Sequence, residues 1–175
     1  SGYAKYFSPK LAFLSRATAA HSTLYLNDTS SCIFQKNKVI NSMYGNCLIG
    51  QHKIINKSYS EDKDFYTINA SHSGYEKKFG YIHERFIKIY KKIDKILGQD
   101  QLKKTKNHTV FPIYSVRFHV YPNTKIVKTK GGNSILISLS NGEGWLLESK
   151  TNDLEIEKNV FLGNKYKIIN SESIL

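Results

Sequence analysis

Tyr81-Ile82-His83-Glu84-Arg85-Phe86-Ile87-Lys88-Ile89-Tyr90-Lys91-Lys92-Ile93-Asp94-Lys95-Ile96-Leu97 is the stretch on which the fold class turns. Read with a helical period, Ile82, Phe86, Ile89, Tyr90, Ile93, Ile96 and Leu97 recur at three- and four-residue spacings and would form one apolar stripe. Read with period two, the β-branched and aromatic content of Ile82, Phe86, Ile87, Ile89 and Tyr90 makes a strand that turns near residues 91–94. That turn is poor by composition, because no Gly or Asn there supplies a positive φ. Periodicity alone leaves both readings open.

Outward from this stretch, short alternating segments are separated by Asn, Gly, Ser and Asp clusters. Residues 22–26 alternate and run into Asn27-Asp28-Thr29-Ser30. Residues 65–70 read as a strand that ends at Ser71-His72-Ser73-Gly74. Residues 114–120 alternate up to Pro122-Asn123. Residues 126–129 and 134–139 flank Gly131-Gly132-Asn133 as a hairpin, and Asn141-Gly142 precedes the apolar residues 145–147. Strands about ten residues apart with turn chemistry between them predict an antiparallel β-sandwich. Only three prolines and no repeat or low-complexity linker interrupt the 175 residues, so one domain over residues 1–175 is expected.

Composition narrows the function. Hydrophobic residues at 40% and charged residues at 23% describe a globular chain, not a disordered one. No apolar run approaches the roughly 20 residues that span a bilayer. The formal net charge of +12 invites a nucleic-acid reading. Only Arg16, Arg85 and Arg117 are arginines, however, and base and phosphate readers favour the Arg fork. The lysines are scattered along the whole length, so no nucleic-acid partner is expected. A basic surface equally suits an acidic polysaccharide. Cys32 and Cys47 make neither a disulfide framework nor a metal motif; they pair in an oxidising compartment or remain buried free thiols.

Arg16-Ala17-Thr18-Ala19-Ala20-His21-Ser22-Thr23-Leu24 resembles the R-x-T-A-A-H-[NS]-T-L signature of the C-terminal domain of heparinase II/III-like proteins, and Asn27-Asp28-Thr29-Ser30-Ser31 continues it. Further blocks follow in the same order. Ala70-Ser71-His72-Ser73-Gly74-Tyr75 precedes Phe79-Gly80 and His83-Glu84-Arg85. Gly98-Gln99-Asp100-Gln101-Leu102 comes next. In Arg117-Phe118-His119-Val120-Tyr121-Pro122, relatives commonly read R-F-H-L-H-P. Asn141-Gly142-Glu143-Gly144-Trp145 is similar to the family's N-G-x-G-W turn. The resemblance covers nearly the whole chain and implies an all-β, antiparallel, multi-stranded sandwich with a hairpin across residues 81–102.

It also implies a function. Family members are two-domain bacterial lyases in which an N-terminal α/α toroid supplies catalytic Tyr and His or Asn. They cleave uronic-acid-containing polysaccharides such as glycosaminoglycans by β-elimination. A base removes the proton beside the carboxylate, an acid protonates the leaving oxygen, and the carboxylate is neutralised. The toroid and the strands that relatives carry ahead of Arg16 are not in this sequence. The expectation is therefore the β part of a polysaccharide lyase, incomplete on its own, from a periplasmic or secreted parent protein. The alternative is a free-standing carbohydrate-binding β-sandwich.

Individual residues carry two readings each. The resemblance makes His21 a zinc ligand of the intact parent protein, but its co-ligands come from an upstream H-x-H element and a later Asp. One imidazole does not make a zinc site, and the alternative is a structural His inside the sheet. His72 and Tyr75 follow a strand and could meet a sugar, or form a polar turn with Tyr75 at the core edge. His83 with Arg85, and Arg117 with His119, share strand faces by period two. Arg85, Arg117 and His119 could bind a uronate carboxylate through the Arg fork, or tie sheets together as a buried network. His52 and His108 read as solvated loop residues, and Trp145 as a core anchor or a sugar platform. Glu155 and Glu157 follow the pattern of a half-exposed strand.

Overall fold

The computed structural model describes residues 8–45, 47–50, 52–105, 111–164 and 167–175; His108 lies outside them. The chain divides into two compact units. One joins the described residues of Ser1–Thr23 to Ser115–Leu175, and the other is Leu24–Tyr114.

The first unit opens with α1 (Pro9–Leu14), whose N-terminus is capped by the Ser8 side chain, and a 3-10 turn (Thr18–Ala20). Pro near the start of α1 sits where its missing N–H costs nothing.

The second unit contains β1 (Leu24–Leu26), β2 (Ile33–Phe34), α2 (Lys38–Tyr44), β3 (Leu48–Ile49), β4 (Ile54–Glu61), β5 (Phe65–His72), α3 (Glu76–Phe79), β6 (Tyr81–Tyr90) and β7 (Ile96–Lys104). After β1, Asn27 and Asp28 take left-handed φ values of 45° and 53°. These are two residue types that tolerate that region, so the expected turn forms there. The last four strands make an antiparallel sheet in the order β4-β5-β6-β7.

Residues 81–90 and 96–104 are therefore a hairpin, with Tyr81 opposite Lys104 and Ile89 opposite Ile96. The turn avoids its compositional weakness by being wide. Residues 91–95 need no positive φ; Tyr90 N–H reaches Lys95 O at 3.0 Å and Lys91 N–H reaches Asp64 O at 2.8 Å. Period two then splits the would-be helical stripe, sending Ile87 and Ile89 to one face and Ile82, Phe86 and Tyr90 to the other. The core of this unit gathers at one end of the sheet, where Leu24, Leu26, Phe34, Tyr75 and Tyr81 are buried.

The chain returns to the first unit through β8 (Tyr114–Val116), then β9 (Phe118–His119), β10 (Lys125–Lys128), β11 (Ser134–Ser138), β12 (Gly144–Glu148), β13 (Ile156–Asn164) and β14 (Lys167–Ile174). Two three-stranded antiparallel sheets result, β10-β11-β12 and β13-β14-β9. Ile135, Leu154 and Ile174 are buried among Val120, Ile126, Ile137, Leu147 and Ile156, which come from both sheets. This is a small two-layer sandwich. Each fully buried aliphatic side chain contributes about 2 kcal/mol by leaving water. The Asn141-Gly142 turn joins β11 to β12, with Gly142 at a φ of 91°. Trp145 is half-buried and faces the same side as Leu147.

Candidate functional site

Two polar networks collect most of the residues singled out from sequence, one in each unit. In the second unit, the register sets His72 opposite His83 and Arg85 opposite Asp100 across β5, β6 and β7. Gly74 N–H donates to His72 Nδ1 at 3.1 Å, which leaves the His72 proton on Nε2. That proton faces His83 Nδ1 at 3.1 Å, so His83 carries its own proton on Nε2, 2.6 Å from Asp100 Oδ1. Arg85 closes the row with a fork, Nε to Oδ1 at 2.8 Å and Nη2 to Oδ2 at 2.9 Å. A backbone N–H at one end and a carboxylate at the other thus fix both tautomers in one direction.

Electrostatics follow from this geometry. Burial, then the nearby positive potential of His83 and His52, pushes the His72 pKa down from 6.5 to about 4. For Asp100, burial alone pushes upward; the hydrogen bonds from His83 and Arg85 and the charge of Arg85 together outweigh it, so the carboxyl sits below its ordinary range. Gly74 is required by close approach: a Cβ there would lie 2.8 Å from Ser31 Cβ and its carbonyl oxygen, and 2.9 Å from His72 Nδ1. Tyr75 is 1% exposed, its ring lies 5.9 Å from that of His72, and its hydroxyl donates to Leu24 O at 3.1 Å. Its placement gives it a packing role at the core, not an open face on which a sugar could stack.

In the first unit, Arg117 and His119 lie beside the 3-10 turn. His119 Nε2 meets Ala19 O at 3.1 Å and its Nδ1 accepts from Asn159 Nδ2 at 2.8 Å, so both ring nitrogens are engaged. Arg117 reaches the same Ala19 carbonyl through Nη1 at 3.4 Å and Glu157 through Nη2 at 2.8 Å. Two backbone donors complete the clamp, His119 N–H to Ser22 Oγ at 3.0 Å and Arg117 N–H to Thr23 O at 3.1 Å. Burial lowers the His119 pKa, against the opposing effect of the Ala19 hydrogen bond. His21, held within the clamped segment, is exposed.

His72 is thus brought together with Arg85, and Arg117 with His119, while His21 stands in solvent. Among the described residues no three His, Cys, Asp or Glu side chains converge to hold a metal. A single exposed imidazole without co-ligands among the described residues does not make a zinc site. His52 is half-buried, with Nε2 shielded from water, where a solvated loop was expected. Cys32 and Cys47 are free thiols, each half-buried. Asp100 enters the sequence reading only inside a family block, with no role of its own, and Asn159 not at all. Asp100 is legible only once strand register sets it opposite Arg85, and nothing in Lys158-Asn159-Val160 marks a partner forty residues away.

The chain matches the family model for the C-terminal region of heparinase II/III-like proteins over residues 1–174. Among solved structures it is similar to heparan sulfate lyase HepC from Pedobacter heparinus, with a TM-score of 0.67 and 15% sequence identity. That likeness covers 94% of this chain and 22% of the lyase, so the chain spans about a fifth of its length. A comparison with curated proteins finds no match.

Proposed function

Because the chain belongs to the heparinase II/III-like family, matching its C-terminal region over residues 1–174, we propose that it is the β part of a polysaccharide lyase acting on uronic-acid-containing polysaccharide by β-elimination. The family match carries this reading. No helix among the described residues is long and apolar enough to cross a membrane, and the parent lyase works in the periplasm or outside the cell, where acidic polysaccharides are met.

The hydrogen-bonding of the two networks supports a non-catalytic share for this chain. A general base needs a free lone pair within reach of the substrate proton. His83 is 3% exposed and bonded through both nitrogens. His72 and His119 are also committed at both nitrogens. These three imidazoles are therefore not free to act as bases, in keeping with proton transfers carried by the toroid. This chain contributes a wall of the cleft, with His21 and Arg117 at its rim. Arg117 binds a uronate by exchanging the half-exposed Glu157 carboxylate for the sugar's, and the excess of lysine attracts the polymer over longer range.

The test is ultraviolet absorbance of unsaturated uronate, measured on the chain alone and mixed with a toroid-bearing partner. Product is expected only in the mixture. Product from the chain alone would overturn the division of labour, and polysaccharide binding without product in either arm would leave the free-standing binding module.

A further inference from the structure

β4 is an edge strand: among the described residues, β5 is its only neighbour in the sheet. Every residue from Ile54 to Glu61 is exposed, with Tyr59 at 62%. Exposed edges are usually blocked by Pro, by an inward charge or by Lys. β4 contains no Pro; its one Lys is matched by a Glu on the same face, and beyond an irregularity between Ile54 and Asn56 it runs in unbroken register with β5 to Glu61. Its two charges, Lys57 and Glu61, are of opposite sign and lie two residues either side of Tyr59, on the same face.

From this symmetry we infer that β4 is a self-pairing edge, joining a second copy of this chain in antiparallel register about Tyr59 to form a continuous eight-stranded sheet. A twofold axis perpendicular to the sheet keeps the same face upward in both copies, so residues on that face meet residues of that face. With the axis at Tyr59, Lys57 of each copy stands opposite Glu61 of the other, giving two ion pairs. Centred on Ser58, Lys57 would meet Tyr59 and Glu61 would meet Ile55. Centred on Ser60, Lys57 would meet Lys63. Centred on Lys57, like charges would oppose directly. Only one register satisfies both charges.

The aromatic rings agree with it. Tyr59 stacks on Tyr66, with centroids 6.3 Å apart and planes at 23°. The twofold extends that pair into a four-ring row across the junction, an arrangement that stabilises cross-strand neighbours. Glu61 already accepts from Tyr59 Oη and from Lys91 Nζ beyond the end of β6, so in the dimer its carboxylate is shared between Lys91 and Lys57 of the second copy. The inference does not depend on the lyase reading.

Sedimentation equilibrium of the full chain across the micromolar range tests it. A monomer–dimer equilibrium is expected for the native chain. K57E, and separately E61K, should weaken the dimer on the order of tenfold, because each variant sets like charges opposite one another twice. Mixing the two variants should restore dimer as a heterodimer, since both acidic positions of the K57E chain then face basic positions of the E61K chain. Should E61K not fold, Glu61→Gln keeps an acceptor for Lys91 Nζ and turns its NH2 as donor to Tyr59 Oη, and should weaken the dimer by a smaller factor, about threefold. A native chain that stays monomeric, a dimer indifferent to K57E, or assembly that grows without closing at two copies would each overturn the inference.

Discussion

Replacing His72 by Gln tests the directional hydrogen-bond row most directly. Gln keeps an N–H donor for His83 Nδ1 and a carbonyl acceptor for Gly74 N–H, but it does not titrate. The native ring has a pKa of about 4 in the fold against 6.5 when unperturbed. Between those values the unfolded chain binds a proton that the folded chain refuses, so stability falls as pH falls. The contribution is complete above about pH 6.5 and is lost progressively down to about pH 4. At about 1.4 kcal/mol per unit, the loss at pH 5 amounts to roughly 2 kcal/mol, and solvent screening of a half-buried ring brings it to about 1–2 kcal/mol. Urea denaturation of both proteins at pH 7.5 and pH 5 measures it. His119, also depressed by burial, contributes the same slope to both proteins and cancels in the difference. Parallel pH dependence in the two would refute the neutral, directional row.

Asp100→Asn should destabilise the second unit by about 2–4 kcal/mol, because the amide cannot accept from His83 and both arms of the Arg85 fork at once; urea midpoints at neutral pH report it. Gly74→Ala should cost about 1–3 kcal/mol through the contacts at 2.8–2.9 Å with Ser31 and His72, seen as a lowered melting temperature. Asn159→Ala removes the donor that holds His119 Nδ1. Hydrogen exchange should quicken at the backbone N–H of His119 and Arg117, with little change in the β4–β7 sheet. Ile135→Ala, at a fully buried site between two sheets, should cost about 2–5 kcal/mol by leaving a cavity.

Turn chemistry and strand alternation were legible in the sequence because they are local. Asn27-Asp28 and Asn141-Gly142 turn the chain where left-handed φ is cheapest, and the segments at residues 65–72, 125–128, 134–138 and 144–148 alternate because one face of each sheet leaves water. β4 was missed because its Asn, Lys and Ser residues carry no apolar alternation, every one of them being exposed. β14 likewise buries little before its last residues. The hairpin at residues 81–102 could not be chosen on period alone, since the same apolar residues fit both 2.0 and 3.6; the family resemblance selected it.

Period two by itself determined that His83 shares a face with Arg85, and Arg117 with His119, since alternation is a property of the extended backbone. What each pair touches was decided only by tertiary structure. Asp100 reaches His83 and Arg85 through strand register, and the Ala19 carbonyl reaches Arg117 and His119 from about a hundred residues away. A hydrogen bond needs its partner within about 3 Å. That distance is set by which strands pair and in what register, and residue order along the chain does not contain it.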